Sequence, residues 1–221
     1  MSALILSTVL GIILLYLGLT KKKAILAPVA IAGLLGTLYL TIGGWGLEAT
    51  YFHDMVLFDN FSIAFNASMI IITVLIFFFG IDYYKMMELH VAEQYALMIF
   101  ALVGAFLMTS FSNLIMLFLG IEILSIPLYV LAGGKKSSYR SNEASFKYFM
   151  LGSFATTIFL FGIALVYGAS ATFYLPEIKA YIAQFNGNLP PMLLVGLLFI
   201  VIGVAFKVAV APFHFWSPDV Y

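Results

Sequence analysis

Long apolar runs separated by short polar segments make up most of the chain. A run of roughly 20 apolar residues has the length that crosses a bilayer as an α-helix. The pattern predicts seven membrane-spanning helices, at residues 2–20, 25–43, 61–81, 92–110, 112–132, 143–168 and 192–211. Gly44–Asn60 is predicted to be a polar, aromatic loop, and Glu177–Phe185 a short helix at the membrane surface. The predicted fold is an all-α, polytopic transmembrane helical bundle.

Composition supports a membrane protein and narrows its chemistry. The chain is 64% hydrophobic and 9% charged, whereas a soluble domain carries about 25% charged residues. Ten basic and ten acidic residues give no net charge that would indicate a nucleic-acid partner. The absence of Cys excludes disulfides, thiolate metal sites and Cys-ligated iron–sulfur clusters. Three scattered His residues form no haem or zinc motif, so we predict no metal and no cofactor in this chain.

Basic residues in the connecting segments predict the orientation of the chain in the membrane. The connecting segments contain eight Lys and Arg residues. Seven of them follow odd-numbered spans and therefore lie on the same side of the membrane, namely Lys21, Lys22, Lys23, Lys85, Lys135, Lys136 and Arg140. The opposite face holds Lys179 and several acidic residues. Because short loops rich in Lys and Arg stay in the cytoplasm, we predict that the N-terminus lies outside.

Two ionisable residues lie deep in apolar spans. Glu122 is the only charge in the fifth predicted span, and Lys207 is the only charge in the seventh. A charge at mid-membrane costs at least ~2.5–3.5 kcal/mol, and such residues usually face the bundle interior and mark proton or ion routes. Their opposite signs predict that the two side chains approach each other. The alternatives are a structural ion pair, a neutral Glu122 bonded to Ser125, and a Lys207 that snorkels to the membrane surface.

A proline follows each of these residues at the fifth position. Pro127 and Pro212 have no N–H, so each leaves a carbonyl of its helix without the usual partner. Irregular backbone at membrane depth is tolerated mainly where it is packed in protein or lines a wet cavity. Residues 212–221 are predicted to be a helix break followed by the start of another segment, and a further C-terminal part is expected.

Lys147 and His214 are secondary candidates. Asn142 is predicted to cap the sixth span, which makes Glu143 and Lys147 i,i+4 neighbours about a turn and a half inside the helix. There Lys147 either links the buried charges or is a surface lysine. His214 lies between two Phe residues. It is either a proton-carrying group, since an unperturbed His has a pKa near 6.5, or a structural histidine.

Three segments carry a resemblance to a known family: GIEILSIPLYVLAG at residues 120–133, EASFKYFMLGSFATTIFLFGIALVYGAS at 143–170 and FKVAVAPFHFWSPDVY at 206–221. They resemble the subunit N family of proton-pumping NADH:quinone oxidoreductase, respiratory complex I. The resemblance implies an antiporter-like subunit of fourteen helices with two inverted five-helix repeats. Residues 1–91 would then hold helices one to three. Residues 92–221 would hold an incomplete repeat, helices four to seven, with a broken seventh helix.

The resemblance also implies functional roles. Glu122 matches the family's helix-five glutamate, Lys207 its helix-seven lysine and Lys147 its connecting lysine on helix six. The implied function is proton translocation through a buried Glu/Lys relay, in a bacterial inner membrane. It would be coupled to redox chemistry in partner subunits that hold NADH, FMN, iron–sulfur clusters and quinone. The implied partners are other complex I membrane-arm subunits, the lipid bilayer and the quinone-linked complex. The alternatives are a subunit of a multisubunit sodium/proton antiporter and a structural membrane scaffold.

Overall fold

The computed structural model describes residues 1–20, 23–86, 91–185 and 187–220, apart from the side chains of residues 82 and 84–86. Its α-helices are α1 (Ser2–Gly18), α2 (Leu26–Ile42), α3 (Asn60–Met86), α4 (Val91–Thr109), α5 (Leu114–Ala132), α6 (Tyr139–Ser170), α7 (Leu175–Ala183), α8 (Pro191–Lys207) and α9 (Ser217–Val220). A 3-10 helix, Lys23–Ile25, leads into α2, and two strands, β1 (Ala49–Tyr51) and β2 (Val56–Phe58), lie between α2 and α3. Lys21, Lys22, His90 and the side chain of Lys85 fall outside this description.

All seven predicted spans are helical. Within the described residues, five helices are long and apolar enough to cross a membrane, namely α2 with its 3-10 lead-in, α3, α4, α5 and α6. The other two, α1 and α8, are apolar and 17 residues long, which is at the lower end of the length that spans a bilayer. The short helix predicted at residues 177–185 is also present, as α7 at Leu175–Ala183, with Pro176 in its first turn. The predicted all-α, polytopic fold class is therefore confirmed.

Helix α6 begins earlier than the hydropathy pattern predicts. The Ser138 side chain accepts a hydrogen bond from the Ser141 N–H at 3.4 Å and caps the helix there. The prediction that Asn142 is the cap was wrong, because Asn142 lies inside α6 and its side-chain amide donates to the Lys136 carbonyl at 3.0 Å. The polar residues at the start of α6 thus extend a helix whose apolar part alone was visible in the sequence.

The segment predicted as a loop between α2 and α3 contains a β-hairpin. Strands β1 and β2 pair antiparallel with Thr50 opposite Leu57. The turn between them holds three residues with positive φ, namely Phe52, His53 and Asp54. The link between α4 and α5 lies beside this hairpin. The Ser112 N–H donates to the Met55 carbonyl at 3.0 Å, and the Ser112 carbonyl accepts from the Leu175 N–H at 3.1 Å. These bonds hold the start of α5 in place at one end of the bundle.

Close helix crossings place α5, α6 and α8 side by side. Helix α5 packs against α4 and α6, and α6 packs against α8. At the crossing of α4 and α5, a Cβ added to Gly104 would lie 2.8 Å from the Gly120 carbonyl oxygen. At the crossing of α6 and α8, a Cβ on Gly162 would lie 2.8 Å from the Gly196 carbonyl oxygen. Only glycine allows backbones to approach this closely, as small residues do in membrane helix pairs.

Candidate functional site

Helix α5 presents a polar stripe in the middle of an apolar helix. Glu122, Ser125 and Tyr129 are spaced i, i+3 and i+7, so they lie on one face of the helix. The helix starts at a defined point because the buried Asn113 side chain accepts a hydrogen bond from the Ile115 N–H at 2.8 Å. Glu122 is eight residues beyond the start of α5, a rise of about 12 Å at 1.5 Å per residue. The carboxylate is therefore near the centre of the helix.

Lys207 reaches this stripe from α8. Its Nζ donates hydrogen bonds to Ser125 Oγ and to the Tyr129 hydroxyl, each at 2.9 Å. Nζ also lies 5.5 Å from the centroid of the Tyr129 ring, within the range of a cation–π contact. Both hydroxyl-bearing residues are buried, with Ser125 1% and Tyr129 5% exposed. The lysine side chain thus points into the bundle and does not snorkel to the membrane surface.

The end of α8 differs from the prediction. The helix stops at Lys207, whereas the apolar run continues to residue 211. The Ala209 N–H donates to the Phe206 carbonyl at 3.1 Å and the Val210 N–H to the Ala205 carbonyl at 3.0 Å. With Ala209 at a φ of 52°, this is a Schellman motif. The predicted break is present, but it begins at residue 208, ahead of Pro212. Lys207 is consequently in the last turn, where helix carbonyls favour a cation by ~0.3–1 kcal/mol.

Glu122 lies close to Lys207 without bonding to it. In the described part of the chain, no ion pair of 4.0 Å or less joins the two side chains, although the Glu122 charge acts on Lys207. Glu122 Oε1 is buried and has no hydrogen-bond partner among those residues. Ser125, one helical turn from Glu122, is the residue that Lys207 contacts instead. Lys207 therefore reaches the face of α5 that carries Glu122, but it contacts Ser125 and Tyr129 there. The direct approach of the two charges stays a prediction.

Lys147 lies apart from this pair. Its Nζ is 2.9 Å from Glu143 Oε1 and 2.9 Å from Asp219 Oδ2, and its side chain is 42% exposed. The i,i+4 contact with Glu143 was predicted, but Asp219, on α9, was not. Lys147 lies eight residues after the start of α6, deeper than the turn and a half expected. Within the described ranges no hydrogen bond or ion pair connects it to Glu122 or Lys207.

Aromatic rings fold the segment after the break back onto α6 and α8. The Tyr129 ring meets Tyr148 edge-on, with centroids 4.7 Å apart, and Tyr148 stacks on Trp216 at 4.6 Å. Trp216 Nε1 donates to the Phe206 carbonyl at 3.2 Å. Gly152 of α6 leaves room for the phenol, because a Cβ there would overlap the Tyr129 hydroxyl and lie 2.7 Å from its Cζ. This arrangement fixes the Tyr129 ring beside Lys207.

His214 does not join the site. It lies in the turn between α8 and α9 and is exposed, and its backbone carbonyl accepts from the Ser217 N–H at 3.0 Å. Four residues of the site and its surroundings were not among the predicted functional residues: Ser125, as a partner of Lys207, Tyr129, Trp216 and Asp219. The signal for the first two was present in the sequence, since both lie on the α5 face that Glu122 marks.

A comparison with protein families defines the class of this chain. Residues 111–221 match the family described as NADH:quinone oxidoreductase/Mrp antiporter, TM. The match covers half of the chain, so the chain belongs to this family of membrane subunits.

Its curated relatives include subunit N of NADH-quinone oxidoreductase. The subunit of Flavobacterium johnsoniae is 42% identical over 221 residues, which is all of this chain and 47% of the relative. The subunit of Cytophaga hutchinsonii is 42% identical over 222 residues, again 47% of the relative. The resemblance to subunit N is confirmed, and the chain spans about half the length of the curated relatives it matches.

Solved structures confirm the fold. A chain of respiratory complex I from Thermus thermophilus, solved with bound aureothin, superposes with a TM-score of 0.80 at 28% identity. The superposition covers 99% of this chain and 47% of that chain. A chain of the Mrp complex from a Dietzia species gives a TM-score of 0.76 at 20% identity, covering 100% of this chain and 43% of that chain. The predicted division of the chain into helices one to three, at residues 1–91, and an incomplete repeat, at residues 92–221, stays a prediction.

Proposed function

We propose that this chain forms part of a membrane-arm subunit of an NADH:quinone oxidoreductase, and that Glu122 and Lys207 carry protons through it. One observation carries the proposal. The Lys207 amine is hydrogen-bonded inside the bundle to Ser125, which lies one helical turn along α5 from Glu122, and the buried Oε1 of Glu122 has no partner among the described residues. Two groups of opposite charge held close together but unpaired can exchange partners, and such an exchange is what a gated proton route requires.

The energies involved are of the right size. Two unit charges 4 Å apart interact by ~4 kcal/mol at an effective dielectric constant near 20. Moving one proton against ~180 mV requires ~4 kcal/mol. Forming and breaking one Glu122–Lys207 contact therefore changes the energy of a proton on either group by about the amount that a membrane potential opposes.

Electron transfer is assigned to partner subunits in this proposal. The chain contains no Cys to hold an iron–sulfur cluster, so the clusters are placed in the partners of the membrane arm. NADH, FMN and quinone are proposed to bind to those partners as well. Lys147 is proposed as a relay that communicates with the pair through Asp219 and the segment after the break. His214 is a further candidate proton group on that segment. The proposed location is a bacterial inner membrane with the N-terminus outside.

A sodium/proton antiporter subunit is the second candidate. The family description includes Mrp antiporters, and the fold superposes on a chain of an Mrp complex. Relatives that are 42% identical over the whole of this chain carry the name subunit N, which favours the oxidoreductase. In the third reading, a membrane scaffold, the buried charges serve only helix packing.

The test uses the full-length subunit in its assembled complex, reconstituted into vesicles. Glu122→Gln and Lys207→Ala are expected to reduce proton uptake severalfold while NADH oxidation with an artificial electron acceptor stays unchanged. Glu48→Gln and Lys179→Ala, at exposed positions, are the matched controls. Subunit content is measured in parallel, because removing one member of a buried pair costs several kcal/mol of stability.

Full proton uptake in both variants at normal subunit content would reject the Glu122–Lys207 route and favour the scaffold. Uptake that depends on sodium and continues without NADH would favour the antiporter.

A further inference from the structure

The hydroxyls that hold Lys207 are oriented as acceptors. Ser125 Oγ uses its own hydrogen on the Ile121 carbonyl, at 2.6 Å, so its lone pairs face the amine. The Tyr129 hydroxyl accepts from the same amine at 2.9 Å. Hydrogen bonds that involve a charged group are roughly twice as strong as neutral ones. Ser125 and Tyr129 therefore make a neutral binding place for an ammonium group.

Three parts of the fold build this place. Helix α5 supplies both hydroxyls one turn apart, and α6 supplies Gly152, whose missing side chain is the space that the Tyr129 phenol occupies. The break after Lys207 allows Trp216 to stack on Tyr148, which in turn holds the Tyr129 ring. A position supported from α5, α6 and the segment after α8 is a built site and not a chance contact of a flexible side chain.

The site is displaced from Glu122 along α5. Three residues separate Glu122 from Ser125 and seven separate it from Tyr129, which correspond to rises of about 4.5 Å and 10.5 Å. In the described part of the chain, the ionisable groups that face Lys207 are Glu122 and Tyr129 from α5. On α6, Tyr148 lies behind the Tyr129 ring, and from the segment after the break Asp219 is engaged by Lys147.

We propose that Ser125 and Tyr129 form a second docking position for the Lys207 amine, which holds the amine away from Glu122 so that the lysine alternates between the hydroxyl pair and the carboxylate. This inference rests on the proposed proton route through Glu122 and Lys207. Both hydroxyl residues act through Lys207, so they are positioning residues. Without the two hydroxyls the Lys207 amine would remain at the Glu122 carboxylate, and its alternation between the two positions would stop.

The test compares variants of the full-length subunit in the assembled complex. Ser125→Ala and Tyr129→Phe each remove one hydrogen bond to a charged amine, which shifts the balance between the two docking positions on the order of tenfold or more. Proton uptake is expected to fall severalfold, and its pH profile is expected to move. Ser125→Thr keeps the hydroxyl and is expected to restore uptake. Gly152→Ala, which displaces the phenol, is expected to reproduce the effect of Tyr129→Phe.

Ser7→Ala is the matched control. Ser7 is also a buried serine in an apolar helix, but among the described residues its hydroxyl bonds only to the Ala3 and Leu4 carbonyls of its own helix. If Ser125→Ala and Tyr129→Phe pump normally while Glu122→Gln and Lys207→Ala do not, the docking position is refuted and the proton route stands. Equal losses in Ser125→Ala and Ser125→Thr would also refute it, in favour of a packing role. Full pumping in Glu122→Gln and Lys207→Ala would overturn the route and this inference together.

Discussion

Replacing Gly104 with Ala tests whether the crossing of α4 and α5 sets the position of Glu122. A Cβ at residue 104 would lie 2.8 Å from the Gly120 carbonyl oxygen, 2.8 Å from the Ile123 carbonyl carbon and closer still to the Leu124 nitrogen. All three atoms belong to the backbone of α5, so no side-chain rotation relieves the overlap. Because the Leu124 nitrogen is the nearest of the three atoms, the helices must separate by more than about 1 Å for all of them to reach an ordinary contact near 3.5 Å. Glu122, adjacent to Ile123, moves with them.

The expected cost follows from two opposing terms. Overpacking a tight interior costs typically ~1–3 kcal/mol, and rigid backbone on the facing helix places this case in the upper part of that range. Against this, Ala in place of Gly inside a helix raises the free energy of unfolding by about 1 kcal/mol, because Ala has the higher helix propensity. We expect a net loss of about 1–2 kcal/mol, which is about 2–8 °C in the midpoint temperature for a domain of this size. Proton uptake should fall further than subunit content, because the carboxylate is displaced.

The assay is thermal loss of the full-length subunit from the purified complex, with proton uptake measured on the same material. Gly36→Ala is the control, since the nearest atom to its added Cβ is Leu6 Cδ2 at an ordinary 3.7 Å. The control is expected to be neutral or slightly stabilising. Equal midpoints and equal uptake in the two variants would refute the reasoning that this crossing positions Glu122.

Two further predictions concern the segment around the break. A double-mutant cycle on Lys147→Ala and Asp219→Asn should give little or no coupling, because the side chains are 42% and 50% exposed and water screens the pair; a strong coupling would contradict this. Ala209→Gly should raise the stability of the full-length subunit by about 1 kcal/mol, because φ is 52° there and glycine adopts this conformation without strain. A lower midpoint temperature for Ala209→Gly would argue against the Schellman motif.

The helices were predictable because a bilayer leaves the chain little choice. Spanning backbone must satisfy its own hydrogen bonds, so each long apolar run became a helix. The hairpin was not predictable, since its strands have three residues each and show no useful alternation. Its position depends on backbone bonds to residues 110–112, which are distant in sequence.

The functional charges were visible in the sequence, but most of their partners were not. Glu122 and Lys207 stand out because each is alone in an apolar run. Asp219 is separated from Lys147 by 72 residues, and only the path of the chain after α8 brings the two together. Ser125 and Tyr129 share a face with Glu122, yet which face Lys207 reaches is decided by the packing of α5 on α6 and of α6 on α8. These contacts depend on tertiary structure, so the sequence pattern alone does not predict them.

The early end of α8 connects these observations. If the helix continued as the apolar run suggests, Trp216 would lie ten residues beyond Phe206, about 15 Å along the axis. In the observed structure Trp216 donates to the Phe206 carbonyl and stacks on Tyr148. A continued helix would remove both contacts. The Tyr129 ring would lose the support behind it, and the Lys207 amine would face one secured hydroxyl instead of two. Ending the helix at Lys207 therefore places a cation at a helix terminus and, by folding the following residues back, completes the site that the cation occupies.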